Sequence, residues 1–151
     1  MKIGVPKEIK PQENRIGLTP DSVKVLVSNG HEVLIENNGG FEAGFDNKQY
    51  ENAGGKIVNK AEDIFNDSEI IVKVKEPLSN EIKMIKENQI VFTYLHLAAA
   101  KELTEGLVKS KSVCIAYETV TDDNGRLPLL APMSAVAGRM SIQAGAHSLE
   151  K

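Results

Sequence analysis

One histidine, His96, stands where an apolar run of the sequence ends. Residues 90–95 (I-V-F-T-Y-L) are mostly apolar, aromatic or β-branched and contain no turn residue, which predicts a buried strand. In an open α/β sheet, ligands bind beyond the carboxyl ends of the strands, and an imidazole is suited to moving protons near neutral pH. His96 is therefore a candidate acid–base group. The alternative is a structural role, such as capping the helix that follows.

Two cationic side chains hold comparable positions after other predicted strands. Arg15 lies in the polar stretch after the first strand, and Lys75 ends the run E-I-I-V-K-V-K. If these strands are parallel neighbours, their carboxyl ends meet at one edge of the sheet. Arginine offers a planar fork that matches a carboxylate, and lysine offers a mobile point charge. Together they could hold a small carboxylic acid beside His96, although each alone is more often a solvated surface charge.

The elements that must position these residues alternate between strand and helix patterns, with short loops. This alternation predicts an α/β fold, with a mainly parallel, Rossmann-like sheet and helices on both faces. Six strands are predicted near residues 2–5, 33–35, 56–58, 69–74, 90–95 and 112–117.

Capping residues predict where several helices begin. Thr19 followed by Pro20 predicts a helix start, and Asp46 predicts another. Asn59 with Glu62 resembles a capping box. Further helices are predicted to run from Ser79 to about Lys86, from Lys101 to about Lys109, and through the small-residue stretch that follows the apolar turn at residues 128–132. For Ser134, at the entry to that last helix, an N-cap role and a ligand contact are both considered.

The overall composition is that of an ordinary globular protein and excludes several functional classes. The chain has 151 residues, 41% hydrophobic and 26% charged, with a net charge of −3. There is no basic block with interleaved aromatic residues, so a nucleic-acid partner is not expected. The single cysteine, Cys114, cannot form an internal disulfide or a metal cluster, which fits a reducing cytoplasm. We expect no signal peptide and no membrane span.

Seven segments follow one another along the whole chain. They are M-K-I-G-V-P-K-E, E-N-R-I-G-L-T-P, G-H-E-V-L-I-E, K-V-K-E-P, F-T-Y-L-H-L-A, Y-E-T-V and L-L-A-P-M-S-A-V-A-G-R-M-S. Their order and spacing closely resemble those of the N-terminal part of the bacterial alanine dehydrogenases, within the alanine dehydrogenase/pyridine nucleotide transhydrogenase family.

The resemblance implies an oxidoreductase that reversibly deaminates L-alanine to pyruvate and ammonium with NAD, in the cytoplasm and as a hexamer. It implies that Arg15 and Lys75 bind the substrate and that His96 is the acid–base residue. Met133 matches a position beside the substrate in that family, and Ser134 matches a position that contacts the cofactor.

The family's G-x-G-x-x-G fingerprint for dinucleotide binding does not occur in these 151 residues. The glycine-rich segment at residues 37–44 matches neither that fingerprint nor a Walker A sequence. We therefore expect residues 1–130 to form the substrate domain and residues 131–151 to form a helix that connects it to an NAD-binding Rossmann domain outside this chain. The chain alone is expected to be inactive and to bind NAD poorly.

Two other functions stay open. The NAD-binding subunit of proton-translocating transhydrogenase resembles the same pattern, but that family is expected to lack the histidine at position 96. The second is a stand-alone module that binds small carboxylates and has no cofactor domain.

Overall fold

A computed structural model describes residues 1–150 of the chain, which fold as two compact units. The first unit is Met1–Ile115, and the second begins at Ala116. This boundary differs from the predicted domain boundary at residue 130, which stays a prediction. No helix in the described part of the chain is both long and apolar enough to cross a membrane.

Within residues 1–150, six strands form one sheet. They are β1 (Lys2–Val5), β2 (Glu32–Glu36), β3 (Lys56–Val58), β4 (Ile70–Val72), β5 (Ile90–Thr93) and β6 (Val113–Ala116). Their order is β3-β2-β1-β4-β5-β6. β1 pairs in parallel with both β2 and β4, β2 with β3, and β4 with β5. This is the order of a Rossmann-type sheet, so the predicted fold class is confirmed.

Residues 1–150 contain six α-helices. They are α1 (Pro20–Ser28), α2 (Asn47–Asn52), α3 (Ala61–Asp67), α4 (Ser79–Ile82), α5 (Lys101–Ser110) and α6 (Ala131–Ser148). Short 3₁₀ segments cover Phe41–Ala43, Leu97–Ala99 and Tyr117–Thr119.

Helices pack on both faces of the sheet. Successive residues of a strand point to opposite faces, and neighbouring residues of β1 lie against different helices. Ile3 and Val5 of β1 share a buried cluster with Val23 of α1. Between them, Gly4 faces α3, where an added Cβ would lie 2.7 Å from Cγ2 of Ile64. A larger residue at position 4 would therefore push α3 away from the sheet.

The capping predictions are partly confirmed. The Thr19 side chain accepts the Ser22 amide at the start of α1, and Asp46 forms a full capping box with Gln49 at α2. The box predicted at Asn59 is wrong, because α3 has Lys60 as its N-cap residue, one position later than the box requires.

Two helix boundaries also differ from prediction. α4 ends at Ile82 instead of near Lys86, and the chain then turns towards β5 with Asn88 at a positive φ of 64°. α6 begins at Ala131, so Ser134 lies inside its first turn, and its hydroxyl donates to the Leu130 carbonyl at 3.3 Å. The N-cap alternative for Ser134 is therefore wrong.

Candidate functional site

The carboxyl ends of β1, β4 and β5 lie level with one another. Gly4 is in register with Ile71, and Ile71 is in register with Val91. The strand order reverses between β1 and β4, and the crevice beyond such a reversal is where open α/β sheets bind ligands. The loops that follow these three strands therefore surround the natural binding position of this fold.

His96 is held just beyond β5 in an unusual backbone conformation. Two residues earlier, the Tyr94 amide still donates to the Val74 carbonyl at 3.3 Å, which fixes the segment against the end of β4. The His96 side chain is exposed, and its ring stacks on Tyr94 with centroids 6.5 Å apart. Its φ and ψ are 50° and 39°, in the left-handed region. Few residues other than glycine adopt this conformation, and such positions cluster at functional sites.

Arg15 is oriented by a neighbouring carboxylate. Its Nε donates to Oε1 of Glu13 at 2.8 Å, and its Nη2 donates to Oε2 at 2.6 Å. The Arg15 side chain is 48% exposed, while that of Glu13 is only 8% exposed. Because Glu13 uses the side of the guanidinium formed by Nε and Nη2, Nη1 is left to donate to a second carboxylate.

Several neighbouring groups shift the pKa values of Arg15 and Glu13. The hydrogen bond to Glu13 raises the pKa of Arg15, and Tyr94 and Glu8 add smaller contributions in the same direction. The hydrogen bond from Arg15 lowers the pKa of Glu13, and the charge of Lys75 lowers it further. Arg15, Glu13, Lys75 and Tyr94 are therefore electrostatic neighbours at this edge of the sheet, and His96 joins them through its contact with Tyr94.

Lys75 is fixed through its backbone, while its side chain forms no ion pair within the described residues. Its amide donates to Oε1 of Glu8 at 3.3 Å, and its carbonyl accepts the Thr93 hydroxyl at 2.9 Å. Among the residues that the structure describes, none forms an ion pair with the Lys75 ammonium. A half-buried lysine that forms no ion pair with a carboxylate is suited to binding an anionic ligand.

A buried ionic triad lies next to these cations. Nζ of Lys73 is 3.1 Å from Oε2 of Glu8 and 2.7 Å from Oε1 of Glu81. Lys73, Glu8 and Glu81 are 1%, 6% and 3% exposed. The remaining carboxylate oxygens accept backbone amides, with Glu8 binding Val74 at 2.6 Å and Glu81 binding Leu78 at 2.8 Å. The triad therefore ties the loop after β1 to the chain after β4 and to the start of α4.

Three of the predicted site residues, Arg15, Lys75 and His96, lie in the segments that follow β1, β4 and β5. The other two belong to the second unit, where both lie in the first turn of α6. Met133 is half-buried there and Ser134 is exposed. Their roles beside substrate and cofactor stay predictions.

Four charged residues of this site were not predicted from the sequence, namely Glu8, Glu13, Lys73 and Glu81. A signal for one of them was available. Lys73 directly continues the apolar strand I-I-V, and a lysine buried at that point requires carboxylates as partners. The sequence does not indicate which carboxylates those are.

The edge of the sheet fits a small carboxylate better than a dinucleotide. In dinucleotide-binding sheets, the pyrophosphate binds free amides at the N-terminus of the helix after β1. Here the Thr19 hydroxyl binds the Ser22 amide, and Pro20 has no N–H group. The Glu8 carboxylate also occupies the Val74 and Lys75 amides at the strand reversal. The residues that the structure describes therefore do not fit NAD at this position.

Replacing Glu13 with glutamine should destabilise the protein in a pH-dependent way. Because Arg15 lowers the pKa of Glu13 in the folded state, the carboxylate contributes stability above its unfolded pKa, and this contribution is lost as the pH falls through the lowered value. We expect Glu13→Gln to melt at a lower temperature than the wild type at pH 7. The gap should close at pH values below about 4. A pH-independent gap, measured by circular dichroism, would contradict this assignment.

Comparisons with known proteins identify the family of the chain. The sequence model of the family described as "Alanine dehydrogenase/PNT, N-terminal domain" matches residues 4–137. Alanine dehydrogenases from Halomonas elongata and Geobacillus stearothermophilus are 52% identical to the chain over 151 residues, and one from Staphylococcus epidermidis is 54% identical. Each match covers 100% of this chain, but the chain spans only about two fifths of the length of these relatives (40–41%).

Solved structures give the same result. An L-alanine dehydrogenase superposes with a TM-score of 0.91 at 54% identity, covering 99% of this chain and 41% of that chain. A transhydrogenase from Sinorhizobium meliloti superposes with a TM-score of 0.76 at 23% identity, covering 82% of this chain and 35% of that chain, and this likeness concerns the fold alone. The resemblance predicted from the sequence is therefore confirmed, and the chain belongs to the alanine dehydrogenase/PNT N-terminal domain family.

Proposed function

We propose that this chain is the substrate-binding part of an NAD-dependent alanine dehydrogenase, which reversibly converts L-alanine to pyruvate and ammonium. The observation that carries the proposal is the position of Arg15, Lys75 and His96 after β1, β4 and β5, the strands at the strand reversal. The sequence identity of 52–54% between this chain and alanine dehydrogenases from other organisms supports the proposal. A cytoplasmic location and assembly into a hexamer are part of the same proposal.

The two cations would hold the substrate. Arg15 would bind the carboxylate through Nη1, while Glu13 keeps the guanidinium oriented from its other side. The Lys75 ammonium would bind the carboxylate or the carbonyl oxygen that forms at the Cα atom. Fixing the substrate at two points limits its rotation, which is how binding groups contribute to rate.

His96 would move the proton. During deamination, water adds to the imine carbon of the substrate, and the imidazole would accept a proton from that water. In the reverse direction the imidazolium would return it. Its exposed position beyond β5 supports this role, because the residue is accessible to solvent.

The cofactor is proposed to bind mainly outside residues 1–150, because the strand reversal of this sheet does not fit it. Met133 is proposed to lie beside the substrate and Ser134 to contact NAD when the two domains come together. These two assignments rest on the family resemblance.

The test is NADH formation from L-alanine by the complete protein, followed by absorbance. The isolated 151-residue chain should show no turnover, and activity from it would contradict this part of the proposal. No alanine-dependent NADH from the complete protein would overturn the proposed function. Transfer of reducing equivalents between two nucleotides without alanine would instead favour a transhydrogenase.

Removing the Lys75 charge should weaken substrate binding. A hydrogen bond to a charged group is worth about 1.5–3 kcal/mol, so we expect Lys75→Met to raise KM for L-alanine roughly 10- to 100-fold. Lys24→Met is the matched control, because Lys24 is an exposed lysine on α1. Equal KM values for the two variants would show that Lys75 does not bind the substrate.

A further inference from the structure

Glu8 is in contact with the backbone of Lys75, yet the chemistry proposed above does not use it. Its Oε1 accepts the amides of Val74 at 2.6 Å and Lys75 at 3.3 Å. Its Oε2 pairs with Nζ of Lys73 at 3.1 Å. The side chain is 2% exposed, so water cannot replace these contacts. One buried carboxylate therefore fixes the peptide from which the Lys75 side chain extends.

The charge of Glu8 also reaches the second cation of the site. It is among the groups that raise the pKa of Arg15. The triad contains two carboxylates and one ammonium, so with its groups ionised it carries a net charge of about −1 in a medium of low dielectric constant. A net negative charge favours the charged form of the Arg15 guanidinium.

We propose that Glu8 is a positioning residue of the substrate site, holding the Lys75 backbone in place so that the Lys75 ammonium meets the substrate carboxylate. The inference rests on the proposed function and deepens it. Glu8 would not touch the substrate, because both of its oxygens are already bound within the protein.

Glu81 provides a matched comparison within the same triad. Its Oε1 pairs with the same Lys73 ammonium at 2.7 Å, and its Oε2 accepts a backbone amide, that of Leu78, at 2.8 Å. It is 3% exposed. Glutamine at position 8 or position 81 removes one negative charge and places its NH₂ group against a backbone N–H or the Lys73 ammonium. In both variants the other carboxylate remains to balance the charge of Lys73. The two variants should therefore lose similar stability and differ only in which backbone amides they release.

The experiment compares Glu8→Gln and Glu81→Gln in the complete protein. We expect both to lower the melting temperature by similar amounts, and only Glu8→Gln to raise KM for L-alanine, by about tenfold or more, since a displacement of about 1 Å can cost about 100-fold. Hydrogen–deuterium exchange should accelerate in the peptide that contains the Val74 and Lys75 amides in Glu8→Gln alone. Glu8→Asp is a second variant, which keeps the negative charge in case Glu8→Gln does not fold. Its shorter side chain should hold the Val74 and Lys75 amides less well and should therefore also raise KM.

Three outcomes are distinguishable. Equal KM values for Glu8→Gln and Glu81→Gln, or a wild-type KM in Glu8→Asp, would overturn the positioning role. Unchanged hydrogen–deuterium exchange at the Val74 and Lys75 amides in both Glu8 variants would also overturn the positioning role, and this result does not depend on enzyme activity. A wild-type protein without alanine-dependent NADH formation would overturn the proposed function, while the exchange measurement would still report on whether Glu8 holds the Lys75 backbone.

Discussion

Replacing His96 with asparagine is expected to lower kcat for alanine oxidation by about 10²- to 10⁴-fold, the usual contribution of a general acid–base group. Asparagine is chosen because it tolerates the left-handed backbone conformation of this position, where φ is 50°. The substitution therefore removes the proposed proton-transferring group and keeps the loop. KM should change much less than kcat, because Arg15 and Lys75, which we propose to bind the carboxylate, remain in place. Steady-state kinetics of the complete protein measure both constants.

His31→Asn is the matched control for this experiment. His31 precedes β2, at the amino ends of the strands, and its Nδ1 lies 3.3 Å from the terminal amine of Met1. Because it lies at the opposite edge of the sheet from His96, its replacement should leave kcat unchanged. Comparable losses in the two variants would contradict the acid–base role of His96.

Replacing Lys73 with methionine is expected to reduce the free energy of unfolding by about 3–5 kcal/mol, because the substitution leaves two buried carboxylates without their shared counter-charge. Methionine fills much of the same volume, so the loss reports on charge more than on packing. Glu8 and Glu81 both contact this ammonium, at 3.1 Å and 2.7 Å. Urea unfolding followed by circular dichroism measures the change.

An exposed lysine gives the reference value for the loss of a surface ion pair. Lys56 pairs with Glu32 at 2.8 Å, but their side chains are 67% and 38% exposed. Surface pairs contribute about 0–1 kcal/mol, so Lys56→Met should cost far less than Lys73→Met. Similar losses in the two variants would mean that burial does not set the strength of the Lys73 interactions.

The strands and several helix starts were predictable from the sequence, because the residues that determine them lie within a few positions of one another. Apolar runs gave the strands, and Thr19 and Asp46 gave two helix starts through contacts over three residues. The prediction at Asn59 failed by one position, because a capping box depends on the exact start of the helix, which packing of Ile64 and Phe65 also influences. The placement of Arg15, Lys75 and His96 after strands followed from the same local patterns.

The sequence by itself therefore determined that a histidine and two cations follow three strands, since this depends only on hydrophobic periodicity. Only the tertiary structure decided that β1, β4 and β5 are neighbours, and that Lys73 is enclosed between Glu8 and Glu81. Glu8 and Lys73 are 65 positions apart in the chain. A buried charge requires a partner of opposite sign, but nothing in the local sequence specifies which residue the fold will bring to it.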